Sequence, residues 1–266
     1  MKELRNFVNK LFDVDLKVFL EALKINPNAQ GYILGAISEQ LLRKELLKKG
    51  YQLVRIREKW EGDKHPNHHG DFYIRKEGKN NPWYVLESKG IKSNTEDWWR
   101  VEEVADYPEE KIKRWFTRSK IRKAWWDKQS SGIREAVVKK ANFRRIKILA
   151  THFVSGKSKK GKREIATPRK DEFNIIALDL FLRTGKHEFI FANPKKLEPS
   201  KNYPHHLQQN YLIDILVPGV KERAKIFPPW SYDFGKVFRT LSSPINPSDM
   251  QIDSRSEKPL DTDTNV

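Results

Sequence analysis

The sequence predicts an α/β domain in which a central mixed β-sheet is flanked by helices. Apolar residues recur at helical spacing before residue 50, short apolar runs follow, and helical and strand patterns then alternate along the chain. We therefore expect one elaborated domain over residues 1–240, with helical additions at its N-terminal side and further additions at its C-terminal side. Residues 241–266, where Ser, Pro, Asp and Thr dominate, are expected to form a disordered tail.

Helical patterns come first. Apolar residues between 3 and 24 fit two short helices broken near residues 13–15, and a longer helix is predicted over 31–49. Gly50 stands where a cap glycine belongs at the end of that helix. Glu39 lies in the middle of the helix, three residues after Ala36 and three before Leu42. Two interpretations stay open: its side chain turns toward the interior, or Glu39 is an ordinary glutamate on the helix surface.

Strand patterns dominate much of the rest of the chain. The run 51–56 reads as a strand, and two further strands carry Asp71 and Glu87. The remaining predictions are helices over 96–129 with a break at Pro108, a strand over 145–154, a helix over 171–183, and strands over 188–192 and 211–217.

The charge of the chain indicates a large anionic partner. Lys and Arg total 52 against 35 Asp and Glu, a formal net charge of +17, which favours a nucleic acid over the competing anionic membrane surface. Cys is absent, which excludes disulfides and thiolate metal sites. No signal-peptide pattern or long apolar span is found, so the cytoplasm is the expected location.

Two carboxylates and an amine fall on strands expected to be neighbours. If residues 76–82 form a hairpin turn centred near Lys79, antiparallel counting sets Asp71 opposite Glu87. Side chains alternate along a strand, so Lys89 joins Glu87 on the same face. Such a cluster is able to hold a hard divalent cation with oxygen ligands beside a cationic group. A salt-bridged pair on a solvated strand face is the ordinary structural alternative.

A helix bearing a glutamate, then a strand, a strand with Asp and a strand with Glu-x-Lys resemble the PD-(D/E)xK nuclease superfamily, and within it the type II restriction endonucleases. The similarity covers residues 31–93 most closely and a catalytic core of about 31–154 more loosely. Gly70 stands where the motif name has proline. The resemblance implies a restriction-endonuclease-like core and Mg²⁺-dependent, sequence-specific hydrolysis of phosphodiester bonds in double-stranded DNA. It also implies a homodimer, with a cognate DNA methyltransferase encoded nearby but not bound.

The resemblance also implies residue roles. Asp71 and Glu87 would ligate Mg²⁺, with the backbone carbonyl of Ser88 as a third protein ligand. Lys89 would position or help activate the attacking water, and Glu39 would assist metal or water binding.

Two other readings remain open. The first is a structure-specific repair or antiphage nuclease with the same fold and chemistry. The second is a non-catalytic nucleic-acid-binding protein in which Asp71, Glu87 and Lys89 form only a surface charge cluster.

Candidate DNA contacts lie outside the carboxylate strands. The basic loop 156–163 falls one residue short of a nucleotide-binding Walker A loop, because Arg163 stands where a hydroxyl is needed. A loop that grips the DNA backbone, or a merely solvated loop, is the better reading. Five tryptophans lie among cations, and helix packing is favoured over base stacking as their role: Trp98, Trp99, Trp115, Trp125 and Trp126. The candidate DNA-binding residues are Lys157, Lys159, Lys160, Lys162, Arg163, Arg118 and Arg122.

The histidines between 65 and 69 are a weaker signal. Their spacing matches no usual zinc ligand pattern, and a His-Asn-His type nuclease site lacks its expected framework. A polar connection, or a segment close to substrate, is the preferred interpretation of this stretch.

Overall fold

A computed structural model describes residues 2–57, 69–91, 109–118, 120–141, 147–151, 153, 167–216 and 224–253. The chain groups into two compact units, Met1–Glu45 and Leu46–Val266, where the sequence analysis treated 1–240 as one domain. Within the described residues, no helix has both the length and the apolar character needed to cross a membrane.

The first unit is helical. Its helices are α1 (Lys2–Phe12), α2 (Leu16–Ile25) and α3 (Pro27–Lys48), and α3 continues into the second unit. The chain turns between α1 and α2 at Asp13, whose φ is 54°. Asp15 then caps α2 by accepting a hydrogen bond of 2.9 Å from the backbone N–H of Val18. The predicted break near residues 13–15 is therefore confirmed.

The end of α3 follows the glycine signal in the sequence. Gly50 has a φ of +78°, a left-handed conformation that glycine adopts without steric cost, and its N–H donates to the carbonyl of Leu47. The predicted long helix and its stop at Gly50 are confirmed, and the chain passes directly into a strand.

The second unit contains a central mixed sheet. Its strands are β1 (Tyr51–Arg55), β2 (Phe72–Lys76), β3 (Tyr84–Gly90), β5 (Ile175–Asp179) and β6 (Phe189–Ala192), in the spatial order β1-β2-β3-β5-β6. The first three strands are antiparallel, β5 is parallel to β3, and β6 is antiparallel to β5. This arrangement confirms the predicted α/β class with a mixed sheet.

The strand β5 replaces a helix that the sequence analysis predicted over 171–183. All five residues of β5 are buried, and a short helix, α7, follows at Phe181–Thr184. A short apolar run fits either a buried helix segment or a central strand by periodicity alone. The parallel neighbour β3 and burial on both faces favour the strand, so the helix prediction is wrong at this point.

A second, two-stranded sheet contains β4 (Lys147–Ala150) and β7 (Leu212–Leu216). The strand predicted over 145–154 therefore exists, and its partner is β7. Its link to β3 is an isolated antiparallel bridge between Thr151, the residue after β4, and Ile91, the residue after β3. The strand beside β3 is β5 instead, which extends that sheet beyond the expected core limit of residue 154.

Helices α4 to α6 form a group in which two tryptophans act as packing residues. The three helices are α4 (Glu109–Thr117), α5 (Lys120–Asp127) and α6 (Ser131–Ala141). A further short helix, α8, spans Phe234–Phe238. Trp125 and Trp126 are buried, and both rings stack on Phe116. The packing interpretation is therefore confirmed for these two. Trp98 and Trp99 lie outside the described residues, as does the side chain of Trp115.

Residues 241–253 are ordered, so the disordered tail expected from 241 is wrong over this part. Ile245 forms an antiparallel bridge with Trp83, and Ile252 forms one with Ile56. The N–H of Gln251 donates to the Tyr73 hydroxyl over 3.0 Å. The backbone bonds of Gln251 and Asp253 with Arg57 and Arg55 continue the pairing beside the end of β1, and Ile245 and Met250 pack against the core. Residues 254–266 lie outside the described part.

Candidate active site

The hairpin of β2 and β3 has the predicted register and ends beside the predicted acidic residues. The register pairs Phe72 with Leu86, Tyr73 with Val85 and Ile74 with Tyr84. These pairs are centred on Lys79, as predicted, and the ladder ends at Phe72. The N–H of Asp71 donates to the carbonyl of Leu86 and not to that of Glu87, so Asp71 lies beside the end of this ladder.

Asp71 is fixed by backbone bonds on both sides. Its N–H donates to the carbonyl of Leu86 over 3.0 Å, and its own carbonyl accepts from the N–H of Ile56 over 3.0 Å. Its carboxylate Oδ2 accepts a hydrogen bond of 2.6 Å from the N–H of Ser88. A carboxylate that accepts a backbone N–H in this way is held in one place. Asp71 is therefore anchored on β3, at the residue that separates Glu87 from Lys89.

Glu87 and Lys89 form an ion pair on one face of β3. The Lys89 ammonium Nζ contacts Glu87 Oε1, and the side chains are 38% and 11% exposed respectively. Glu87 is thus largely withdrawn from water, which is costly for a carboxylate unless a partner offsets the lost hydration. Lys89 supplies that partner, and its own greater exposure leaves the ammonium accessible from solvent.

The structure therefore brings together Asp71, Glu87, Ser88 and Lys89 at one place on the sheet. Asp71 and Glu87 offer carboxylate oxygens, and Ser88 contributes the N–H that orients Asp71. Its expected carbonyl ligand role stays a prediction.

The donor types of this cluster fit Mg²⁺ better than zinc. Magnesium is usually held by one or two carboxylates together with waters and substrate phosphates, whereas structural zinc requires four protein ligands. Within the described residues, no group of three or more His, Cys, Asp or Glu side chains is arranged to hold a metal ion. The carboxylates of Asp71 and Glu87 are donors of the kind that a hydrated, oxygen-preferring cation takes.

Glu39 belongs to the first compact unit, whereas Asp71, Glu87 and Lys89 belong to the second. Its side chain is half-buried on α3, which favours the interpretation that it turns partly inward. Its assisting role stays a prediction.

The predicted DNA contacts are only partly within the described residues. Lys157, Lys159, Lys160, Lys162 and Arg163 lie outside them, as do His65 and His68. Arg118 is exposed directly after α4, and Arg122 lies on α5, where only its backbone is described.

A histidine–aspartate pair at the end of β5 was missed by the sequence analysis. His187 Nδ1 lies 2.6 Å from Asp179 Oδ2, and the imidazole stacks on Phe181 with ring centroids 4.2 Å apart. Asp179 is the register partner of Gly90, the residue after Lys89. The pair thus lies at the sheet edge where β3 ends. The helix predicted over 171–183 concealed it, because Asp179 could not be recognised as a strand end.

The C-terminal segment near the site was missed as well. Ile252 bridges Ile56, and the Ile56 N–H donates to the carbonyl of Asp71. Residues 241–253 therefore support the strand that holds Asp71. The available signal was the set of apolar residues that recur among Ser, Pro, Asn and Asp in this stretch, namely Leu241, Ile245, Met250 and Ile252.

Comparison of the chain with protein-family models, with curated proteins and with solved structures gave no match.

Proposed function

We propose that this protein is a Mg²⁺-dependent endonuclease that hydrolyses phosphodiester bonds in double-stranded DNA. The observation that carries the proposal is the hydrogen bond from the Ser88 N–H to the Asp71 carboxylate. It fixes one carboxylate beside a strand that presents a second carboxylate and an ammonium on one face. Carboxylates that are able to hold a metal ion beside an ammonium are suited to metal-assisted phosphodiester hydrolysis.

Asp71, Glu87 and the Ser88 carbonyl are the groups that would hold the cation. When bound, Mg²⁺ lowers the pKa of water and offsets negative charge on the phosphate. Without a cation to screen them, the carboxylates of Asp71 and Glu87 would repel a DNA phosphate. The metal requirement therefore follows from the charges of these side chains.

The Lys89 ammonium is the group that would act on the phosphate and the attacking water. It neutralises Glu87, and an ammonium has three N–H donors, so it is also able to donate to a phosphate oxygen or a water molecule. An ammonium aimed at the reacting phosphate stabilises charge that develops during hydrolysis. We assign Lys89 to orient the attacking water and to stabilise this charge.

The net charge supports a DNA substrate. The first unit, Met1–Glu45, has a formal net charge of +1, so the second unit carries nearly all of the +17 of the chain. A strongly positive body attracts a polyanion in a salt-dependent way, because binding releases counterions from DNA. The carboxylate pair thus lies in the unit that is best suited to bind DNA.

We further propose that the enzyme is a sequence-specific restriction endonuclease acting in the cytoplasm, with a cognate methyltransferase encoded nearby. A structure-specific repair or antiphage nuclease is the alternative within the same chemistry. The pattern of DNA products separates the two, because a fixed site yields discrete fragments.

A non-catalytic nucleic-acid-binding protein is the second candidate. The Glu87–Lys89 ion pair favours it, since such a pair is also a common structural feature of strands. In this case, removal of either charge would change stability and leave DNA binding by the rest of the basic surface intact.

The test is incubation of the purified chain with plasmid and phage DNA at moderate salt, with Mg²⁺ or with EDTA. Asp71→Ala and Lys89→Ala are compared with Lys76→Ala, which removes an exposed lysine at the far end of β2. Discrete Mg²⁺-dependent fragments that only the first two variants abolish support restriction. Cutting that depends on DNA structure supports the repair or antiphage reading. DNA retention without cutting in either condition, by wild type, supports the binding protein and refutes the proposal.

A further inference from the structure

The first unit exposes an unusual share of large apolar side chains. Ten of the twelve large hydrophobic residues that are exposed in the described chain lie within Met1–Glu45. Scattered apolar residues are normal on a protein surface, but a concentration of them marks an interaction site. The ten residues are Leu4, Phe7, Leu11, Phe12, Val18, Leu20, Ile25, Tyr32, Ile33 and Ile37.

On α1 the exposed residues form one stripe. Leu4, Phe7 and Leu11 recur at the i, i+3 and i+7 positions of a single helix face, and they are 44%, 58% and 59% exposed. Val8 is fully buried and lies at the edge of the same apolar arc. The arc of α1 is therefore covered on one side and open on the other. The opposite side of the helix is polar, and there Asn6 lines a groove between α1 and α2.

The charge of the unit selects the kind of partner. Its seven Lys or Arg residues are nearly balanced by six Asp or Glu residues. It is thus a poor match for a polyanion and a good match for an apolar protein surface. Two copies that associate through their second units would bring most of two +17 chains together. Association through the nearly neutral first units avoids most of that repulsion.

We propose that α1, with the apolar residues of its unit, is the surface through which two copies of this chain associate. The Leu4–Phe7–Leu11 stripe would pack against the same stripe of a second copy in an isologous contact. A chain with one hydrolytic site cuts one strand at a time, so pairing would also supply the second site needed to cut a duplex. That consequence rests on the proposed function, whereas the association itself does not.

The experiment is sedimentation velocity on the full chain without DNA, over a concentration series. Wild type is expected at twice the chain mass at micromolar concentration. Phe7→Glu, and separately Leu11→Glu, place a carboxylate on each side of the contact and are expected to weaken dimerisation by about 100-fold or more. Asn6→Glu is the matched control, since it adds the same charge on the opposite side of α1. It is expected to leave the dimer intact.

Each result decides the question. A monomeric wild type overturns the proposal, and so does a dimer that survives both Phe7→Glu and Leu11→Glu. The side chains of Phe7 and Leu11 are exposed, so both variants are expected to keep their helices. Far-UV circular dichroism checks this expectation. Plasmid cleavage is a separate readout: an inactive dimer would refute the nuclease and leave the association standing. A monomer that nicks plasmid before linearising it would support the nuclease and refute the association.

Discussion

The Asp71 carboxylate accepts a hydrogen bond of 2.6 Å from the backbone N–H of Ser88. This bond links the first acidic residue of the candidate site to the strand that carries the second. Because a backbone donor cannot rotate away as a side chain does, the carboxylate position is set by the pairing of β2 with β3. The geometry of the site thus depends on strand register and on the residue that enters β2.

Asp71→Asn separates the charge of this residue from its position. An asparagine oxygen still accepts from the Ser88 N–H, so the unfolding free energy is expected to change little. The rate of DNA cleavage under single-turnover conditions is expected to fall by a factor of about 100 to 1,000, as for loss of one preorganised electrostatic group. DNA affinity, measured in EDTA by fluorescence anisotropy, should stay within about threefold of wild type. Cleavage at the wild-type rate by Asp71→Asn would remove Asp71 from the chemistry.

Gly70→Ala tests whether the residue before Asp71 must lack a side chain. A Cβ at Gly70 would lie 2.4 Å from Val85 Cγ1 and 3.2 Å from the carbonyl oxygen of Leu86. Val85 is buried in the core and has no room to yield. We expect a loss of about 1 to 3 kcal/mol in the free energy of unfolding, together with slower cleavage as Asp71 shifts. Urea denaturation provides the measurement.

Two comparisons sharpen the Gly70 result. Gly90→Ala adds a Cβ with nothing within 4 Å, so its stability should stay close to that of wild type. In Gly70→Ala/Val85→Ala the clashing methyl is absent, and the combined loss should be smaller than the sum of the two single losses. Additive losses would show that the close approach to Val85 does not limit the position.

The sequence allowed the register of β2 with β3, from Phe72–Leu86 to Ile74–Tyr84, to be predicted because it depends on local geometry. A short turn and strict alternation fix which residues face each other across a hairpin. The partner of β3 on its other side was not predicted, since β5 pairs in parallel across more than 80 residues and sequence proximity gives no signal for it. The Asp179–His187 pair was missed for that reason. The order of 241–253 was missed because polar composition concealed Ile245 and Ile252.

Trp125→Phe tests how strongly the tryptophan-rich helices are tied to the second sheet. The Trp125 indole N–H donates to Asp214 Oδ1 over 2.8 Å, and Asp214 Oδ2 accepts from the N–H of Lys225 over 2.7 Å. Asp214 is fully buried. Phenylalanine would remove a charge-assisted bond and leave a buried carboxylate oxygen with one donor fewer. We expect a loss of about 2 to 4 kcal/mol in the free energy of unfolding.

Trp126→Phe is the matched control for this loss. Trp126 is also buried and also stacks on Phe116, but its indole donates no hydrogen bond within the described residues. Its loss should therefore be smaller, about 1 to 2 kcal/mol from reduced packing alone. Equal losses in the two variants, measured by urea denaturation with fluorescence detection, would assign the stabilisation to packing and not to Asp214.

Tyr211 gives the fold a specific sensitivity to high pH. Its hydroxyl donates to the carbonyl of Glu198 and accepts from the N–H of Gln208 over 2.9 Å. Burial raises the pKa of the Tyr211 phenol to about 12, whereas the unfolded chain ionises this group near pH 10. The unfolded state therefore loses its proton first. The stabilisation from the protonated phenol is complete below pH 10 and is lost as pH rises from about 10 to 12.

Tyr211→Phe is expected to cost about 1 to 3 kcal/mol at pH 8, because a backbone donor and a backbone acceptor lose their partner. The difference in unfolding free energy between wild type and variant should then narrow by roughly 1 kcal/mol for each pH unit above 10. Lysines and the other tyrosines titrate in both proteins, so the difference isolates Tyr211. Absorbance at the phenolate band supplies an independent measurement. A native phenol that titrates near pH 10 in wild type and disappears in Tyr211→Phe would contradict the burial argument.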